Sequence, residues 1–172
     1  MGAGAGAGGR PLPPLPPDAP LPAEDLMREA IRLAAQAAAE GEVPVGAVVA
    51  REGRIVGRGR NRREKGKNAL AHAELEAIDE ACRTLGGWRL SGCELYVTLE
   101  PCPMCAGAII NARLERVVYG AADPKAGSCG SVVDLFALPY NHRPAWEGGL
   151  LGGECAAQLT AFFRALRERK KG

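Results

Sequence analysis

The sequence predicts an α/β fold: a mixed central sheet of about five strands with helices on both faces. Segments with apolar residues at helical spacing alternate with short β-rich segments, in the order α-β-β-α-β-α-β-(α)-(β)-α. Two of the strands form a hairpin, while later ones are separated by helices. The chain has 172 residues, enough for one domain with a substantial core.

Residues 1–22 read as a disordered leader. Gly/Ala alternation passes into PLPPLPPDAPLP, which favours an extended polyproline conformation and has little to bury against its ordering entropy. A single domain is expected over 23–172. Its first helix is marked by Leu26, Met27, Ala30, Ile31, Leu33, Ala34 and Ala37, with Gly41 as a stop. VGAVVA and RIVGRGR flank a turn at Glu52-Gly53 and form the hairpin. A polar loop over 61–68 leads to a second helix, AHAELEAIDEACRTL, which ends near Gly86. CELYVTL alternates and is rich in β-formers, so it is a strand, and Pro101 breaks it. A third helix is expected from about Pro103 to Arg113, then a strand in ERVVYG and a Gly-rich loop, ADPKAGSCG. A short helix in SVVDLFAL and a short strand in GGLLGG are expected next. The final helix is ECAAQLTAFFRALRERK, with a basic end.

No apolar run is long enough to cross a bilayer, and the first residues lack the features of a secretory signal. A cytoplasmic enzyme with no membrane partner is the expectation. The formal net charge of +2 is too small to mark a nucleic-acid binder, so the placement of charge matters more. The six cysteines are expected to be reduced. Cys82 and Cys93 read as buried or half-buried thiols with no special role. Cys102 and Cys105 are different.

These two lie in Pro-Cys-Pro-Met-Cys at a helix start, where the helix N-terminus favours the thiolate that a metal needs. A lone CxxC is also compatible with a redox pair or half of a structural zinc site. His72-Ala-Glu74, some thirty residues earlier at another helix start, narrows the choice. Together the two motifs match the signature of zinc deaminases. His72, Cys102 and Cys105 would hold one Zn2+ per subunit and leave a fourth position open, as catalytic zinc requires. A water there would ionise near neutral pH and attack the ring carbon bearing the exocyclic amine. Glu74, catalytic and not a ligand, would take a proton from that water and deliver it to a ring nitrogen, and would finally protonate the departing amine.

Over roughly residues 24–170 the chain resembles the bacterial tRNA-specific adenosine deaminases of the cytidine/deoxycytidylate deaminase superfamily. The likeness rests on EVPVGAVV, GRGRN, AHAELEAI, LYVTLEPCPMCAGAI, RVVYGA, DPKAGSCGSVVDL, Asn141-His142-Arg143 and GGLLGGECAAQLTAFFR. It implies a three-layer α/β/α, cytidine-deaminase-like fold and a homodimer. It also implies hydrolytic deamination at C6 of adenosine, giving inosine at the wobble position of a tRNA, an arginine tRNA in this family. Asn61 would then hold the target nucleoside, with Pro101 and the Ala73 backbone against the base. Asp123, Lys125, Gly127 and Ser128 would form an RNA-contacting loop, and Asn141 and His142 a second contact to the anticodon stem-loop. A loop base can be splayed into a pocket cheaply, which suits this chemistry. The chain departs from the family in its long leader and at Asn68-Ala69-Leu70-Ala71, where the family often has Asp-Pro-Thr-Ala.

Two other readings use the same residues. A guanine or cytosine/cytidine deaminase acting on a free base or nucleoside would keep the zinc chemistry. It would have no use for the 121–128 loop or for the basic Arg164, Arg167, Arg169, Lys170 and Lys171. A structural zinc module that binds RNA without catalysis would have no use for an unliganded Glu74. It would usually carry a fourth protein ligand, for which Cys129 is a weak candidate. Plain readings stand beside the substrate contacts: Asn61 as a turn cap, Asp123-Pro124 as a turn dipeptide and His142 as a surface residue.

Overall fold

A computed structural model describes residues 19–172 of the chain. The leader expected at 1–22 therefore lies largely outside the described residues. Leu21, counted with it, already donates its N–H to the Gly53 carbonyl at the hairpin turn (2.8 Å).

The helices are α1 (Ala23–Ala39), α2 (Ala73–Leu85), α3 (Pro103–Asn111) and α4 (Gly152–Lys170). The strands are β1 (Gly46–Arg51), β2 (Arg54–Arg60), β3 (Cys93–Leu99), β4 (Arg116–Ala121) and β5 (Ala145–Gly148). They form one five-stranded sheet in the order β2-β1-β3-β4-β5. β1 is antiparallel to both β2 and β3, whereas β3, β4 and β5 are parallel. The sheet is mixed, as expected.

Strand alternation sorts the core into two faces. Val49, Leu95, Val97 and Val117 point to the side where Ala77, Ala81 and Ile109 bring α2 and α3. Val48, Tyr96 and Val118 point to the other side, against Leu26, Met27 and Ala30 of α1 and Cys155 of α4. The result is three layers. Among the described residues no helix is long and apolar enough to cross a membrane.

Gly57 and Gly59 set the height of α2 over the sheet. A Cβ at Gly57 would sit 2.2 Å from the Ala77 carbonyl oxygen, and one at Gly59 would sit 2.1 Å from that of Ala73. The helix can rest this close because β2 has no side chain at either position. α2 carries His72 and Glu74 at its start, so these two glycines help to place the site.

Two boundaries differ from the sequence expectation. α3 ends at Asn111, and Arg113 turns the chain with φ 63°. The strand expected in GGLLGG is Ala145–Gly148 instead. GGLLGG mainly turns the chain into α4, with φ 96° at Gly149 and 51° at Leu151. β5 is exposed at all four residues, so it lacks the buried apolar run that marks β1, β3 and β4. Pairing to β4 holds it, as does Trp146, which stacks on Tyr119 at 5.9 Å and donates Nε1–H to Asp134 at 3.0 Å. SVVDLFAL contributes a single 3₁₀ turn, Leu135–Ala137, which Asp134 caps through the Phe136 N–H (3.1 Å).

Candidate active site

The site forms where β3 and β4 end and α2 and α3 begin. Ligand sites in sheets of this kind gather at the carboxyl ends of parallel strands. β3 stops at Leu99, and Cys102 is the N-cap of α3, with Pro103 at the first helical position. Proline suits that position because its missing N–H has no intrahelical partner there. His72 is the N-cap of α2. Two helix N-termini, 30 residues apart in sequence, therefore converge.

His72 Nδ1 lies 3.7 Å from Cys102 Sγ and 3.5 Å from Cys105 Sγ. All three donor atoms lie within 4.8 Å of one another. A tetrahedral zinc with ordinary Zn–N and Zn–S bonds would separate an imidazole nitrogen from a thiolate sulfur by about 3.6 Å. The observed spacing fits. Cys129, buried on the loop after β4, is outside this group, so the cluster offers three donors and leaves the fourth position open.

The protonation of the donors also suits a metal. Hydrogen bonds from the Cys105 thiol, from His72 and from the Cys105 backbone hold the Cys102 thiol down to about 4. The Cys102 thiolate, together with burial and the nearby Glu74, pushes Cys105 up. The hydrogen bond to Cys102 raises His72. Glu74 is 4% exposed, and burial pushes its carboxyl up. It is not in the donor group, yet it lines the same cavity as His72 and Cys102. A buried carboxyl beside an open metal position is placed for proton transfer.

The cavity has a volume of about 530 Å³. Of the residues expected at the substrate, Asn61, Ala73, Asp123 and Lys125 line it. Asn61 is 8% exposed and already occupied: its Nδ2 donates to the Val43 carbonyl (3.2 Å), and its Oδ1 accepts from Arg63 N–H (3.1 Å). It shapes the loop as well as lining the cavity. Pro101, Gly127 and Ser128 lie behind the lining, where Ser128 N–H donates to the Pro101 carbonyl (2.9 Å). The departure at Asn68-Ala69-Leu70-Ala71 closes as a tight turn. Asn68 Oδ1 accepts from Leu70 N–H (2.9 Å), and its carbonyl accepts from Ala71 N–H (3.1 Å).

Asn141 and His142 are not brought to this cavity. His142 Nε2 bonds the Leu114 carbonyl (2.6 Å), just before the start of β4 and so at the other end of the strand from the site. It lines a separate hollow with Arg89, Arg113 and Glu115. The basic residues at the end of α4 are exposed, and Leu159 and Phe163 of the same helix reach the cavity.

Sequence reasoning missed two carboxylates that hold the loops around the site. Glu100 is 2% exposed and accepts from the N–H groups of Asp123, Cys129 and Ser131, each at 3.1 Å, and from the Ser131 hydroxyl. Glu42 is fully buried and accepts from Glu64 and Lys65 N–H at 2.9 and 3.1 Å. The signal for Glu100 is its place between a strand of apolar residues and Pro101. For Glu42 there is none in the sequence alone.

The family model for the cytidine and deoxycytidylate deaminase zinc-binding region matches residues 22–121, a stretch that contains all three donors and Glu74. The chain belongs to this deaminase family. The deaminase is 51% identical over 149 residues to the tRNA-specific adenosine deaminase of Bacillus subtilis strain 168, covering 86% of this chain and 92% of that protein. It is 52% identical over 153 residues to a tRNA(Ile)-lysidine synthase of Deinococcus radiodurans. That match covers 87% of the deaminase but 26% of the relative, so it concerns one segment of a longer protein. A solved structure from work on A-to-I editing by tRNA:A34 deaminases at the wobble position of transfer RNA aligns with a TM-score of 0.76 and 45% identity. It covers 78% of the deaminase and 99% of that chain.

Proposed function

We propose that this chain deaminates adenosine to inosine at the wobble position of a tRNA, an arginine tRNA, by hydrolysis. The observation that carries the chemistry is the three-donor cluster with the buried, unliganded Glu74 beside it. The substrate rests on the kinship with proteins named for this activity, at 51% and 45% identity over most of their lengths. The solvated basic end of α4 also favours a polyanion.

His72, Cys102 and Cys105 would hold the zinc, which when bound would supply Lewis acidity to a water near neutral pH. Glu74 carries the protons: it takes one from the attacking water and delivers it to a ring nitrogen, then takes the second from the hydroxyl added to the ring carbon and gives it to the leaving amine as the carbonyl forms. The Ala73 backbone lies along the base edge, and Asn61, with its loop bonds in place, fixes the side of the pocket. Asp123 and Lys125 meet the RNA at the cavity. Gly127 and Ser128 support that loop from behind. Asn141 and His142 serve as contacts only if the RNA extends to the far end of β4. The protein works as a homodimer in the cytoplasm, with residues 23–172 as the catalytic domain.

The test is an inosine assay on the zinc-loaded protein. An anticodon stem-loop carrying adenosine at its first anticodon position is run beside free adenosine, cytidine and guanine. Inosine from the RNA alone is expected. Turnover of a free base or nucleoside, with none of the RNA, would overturn the substrate and leave the zinc chemistry standing.

A further inference from the structure

Arg63 lines the cavity that holds His72 and Glu74. Its side chain is exposed and has no ion-pair partner among the described residues, whereas its neighbours Arg60 and Arg62 pair with Glu40 and Glu76. Its backbone is fixed from both sides. The N–H donates to Asn61 Oδ1 (3.1 Å), and the carbonyl accepts from Asn68 N–H (3.1 Å). Buried Glu42 takes the next two N–H groups. Lys125 stands on a different loop lining the same cavity, and buried Glu100 holds that loop in the same manner. The Asp123 carboxylate forms no ion pair with it among the described residues and is turned into its own loop to accept from the N–H groups of Lys125 and Ala126 (3.0 and 3.2 Å). Two held backbones therefore present two cations at one cavity, neither with an ion-pair partner among the described residues, although Glu74, Glu100 and Asp123 share the lining.

A free nucleoside carries no charge for these cations to meet, but a nucleotide within a strand has a phosphodiester on each side. We propose that Arg63 is a phosphate-contacting specificity residue. It grips the phosphodiester next to the target nucleoside and, with Lys125, makes the deaminase prefer a polynucleotide to a free nucleoside. This rests on the tRNA substrate proposed above.

The test measures binding of a fluorescent anticodon stem-loop RNA to the zinc-loaded full chain, by anisotropy at several KCl concentrations. Zinc content is measured in each variant. Arg63→Ala is expected to weaken binding by roughly fivefold to tenfold and to flatten the plot of log affinity against log salt by about 0.7, the share of one phosphate contact on a single strand. Arg63→Lys restores most of that slope. A slope equal to that of the unaltered protein, whatever the affinity, overturns the inference, because a residue that only shapes its loop releases no counterion. If the unaltered protein forms inosine from the RNA and Arg63→Ala keeps its affinity and slope, the inference alone fails. If the unaltered protein forms no inosine, the tRNA substrate fails and the inference falls with it.

Discussion

At the scale of single residues, Glu74 is buried beside the donors, burial pushes its carboxyl up, and its position suits it to take and give a proton. Glu74→Gln is expected to keep the fold and the zinc and to cut inosine formation by about 10²–10⁴-fold. Single-turnover kinetics with zinc analysis on the same sample checks this, and full activity with zinc retained would remove Glu74 from the proton path. The cysteines differ among themselves in a testable way. In zinc-stripped protein at pH 6, Cys102, held down to about 4, is a thiolate. Cys93 and Cys155, pushed up to about 11, and Cys129, pushed up to about 12, remain thiols. Iodoacetamide followed by peptide mapping should label Cys102 first, and preferential labelling of the others would contradict the order. His72, Glu74, Cys102 and Cys105 were legible in the sequence because metal chemistry demands those atoms at those spacings. Glu42, Glu100 and Arg63 were not. A glutamate pinned under backbone N–H groups looks like a solvated one until the chain folds over it. An arginine without a partner is recognised only once Arg60 and Arg62 are seen with theirs.

At the scale of elements, the start of α2 depends on the bare surface of β2. Gly59→Ala forces a methyl against the Ala73 carbonyl, one residue from His72. Overpacking of this kind costs about 1–3 kcal/mol. The midpoint of thermal unfolding should fall, and zinc affinity with it, since the helix start must lift. An unchanged midpoint and affinity would mean that α2 can rise off β2 without disturbing the site. α1 and α2 were legible because each buries one face and so carries a helical period, whereas β1, β3 and β4, buried on both faces, were legible as short runs of β-forming residues bounded by turns and breakers. The six buried residues of α1 all fall on the positions that its spacing marked. β5 was misplaced because an exposed strand at a sheet edge needs no run of buried apolar residues to mark it. Its register comes from β4 and from the Trp146–Tyr119 stack, both remote in sequence.

At the scale of the whole molecule, the described fold begins against the hairpin turn, where Leu21 meets Gly53. Removing residues 1–18 is expected to leave inosine formation and the unfolding midpoint unchanged. Removing 1–22 also deletes the Leu21 bond and should lower the midpoint. A large loss of activity on removing 1–18 would give that segment a role. The layered fold was predictable from the alternation of helices and strands. The union of two distant helix starts into one metal cluster was predictable only through the chemistry of the donors.

That union has a consequence for motion. β1, β2 and α2 form a continuous antiparallel unit bearing His72, and β3, α3 and β4 a continuous parallel one bearing both cysteines. The β1–β3 ladder already joins the two units, and bound zinc adds a second tie at the helix starts. Chelation should therefore speed amide hydrogen exchange in the first turns of α2 and α3 together, by similar factors, while the middle of β3 stays protected. Two stretches some thirty residues apart would then breathe as one, their shared rhythm set by a single ion.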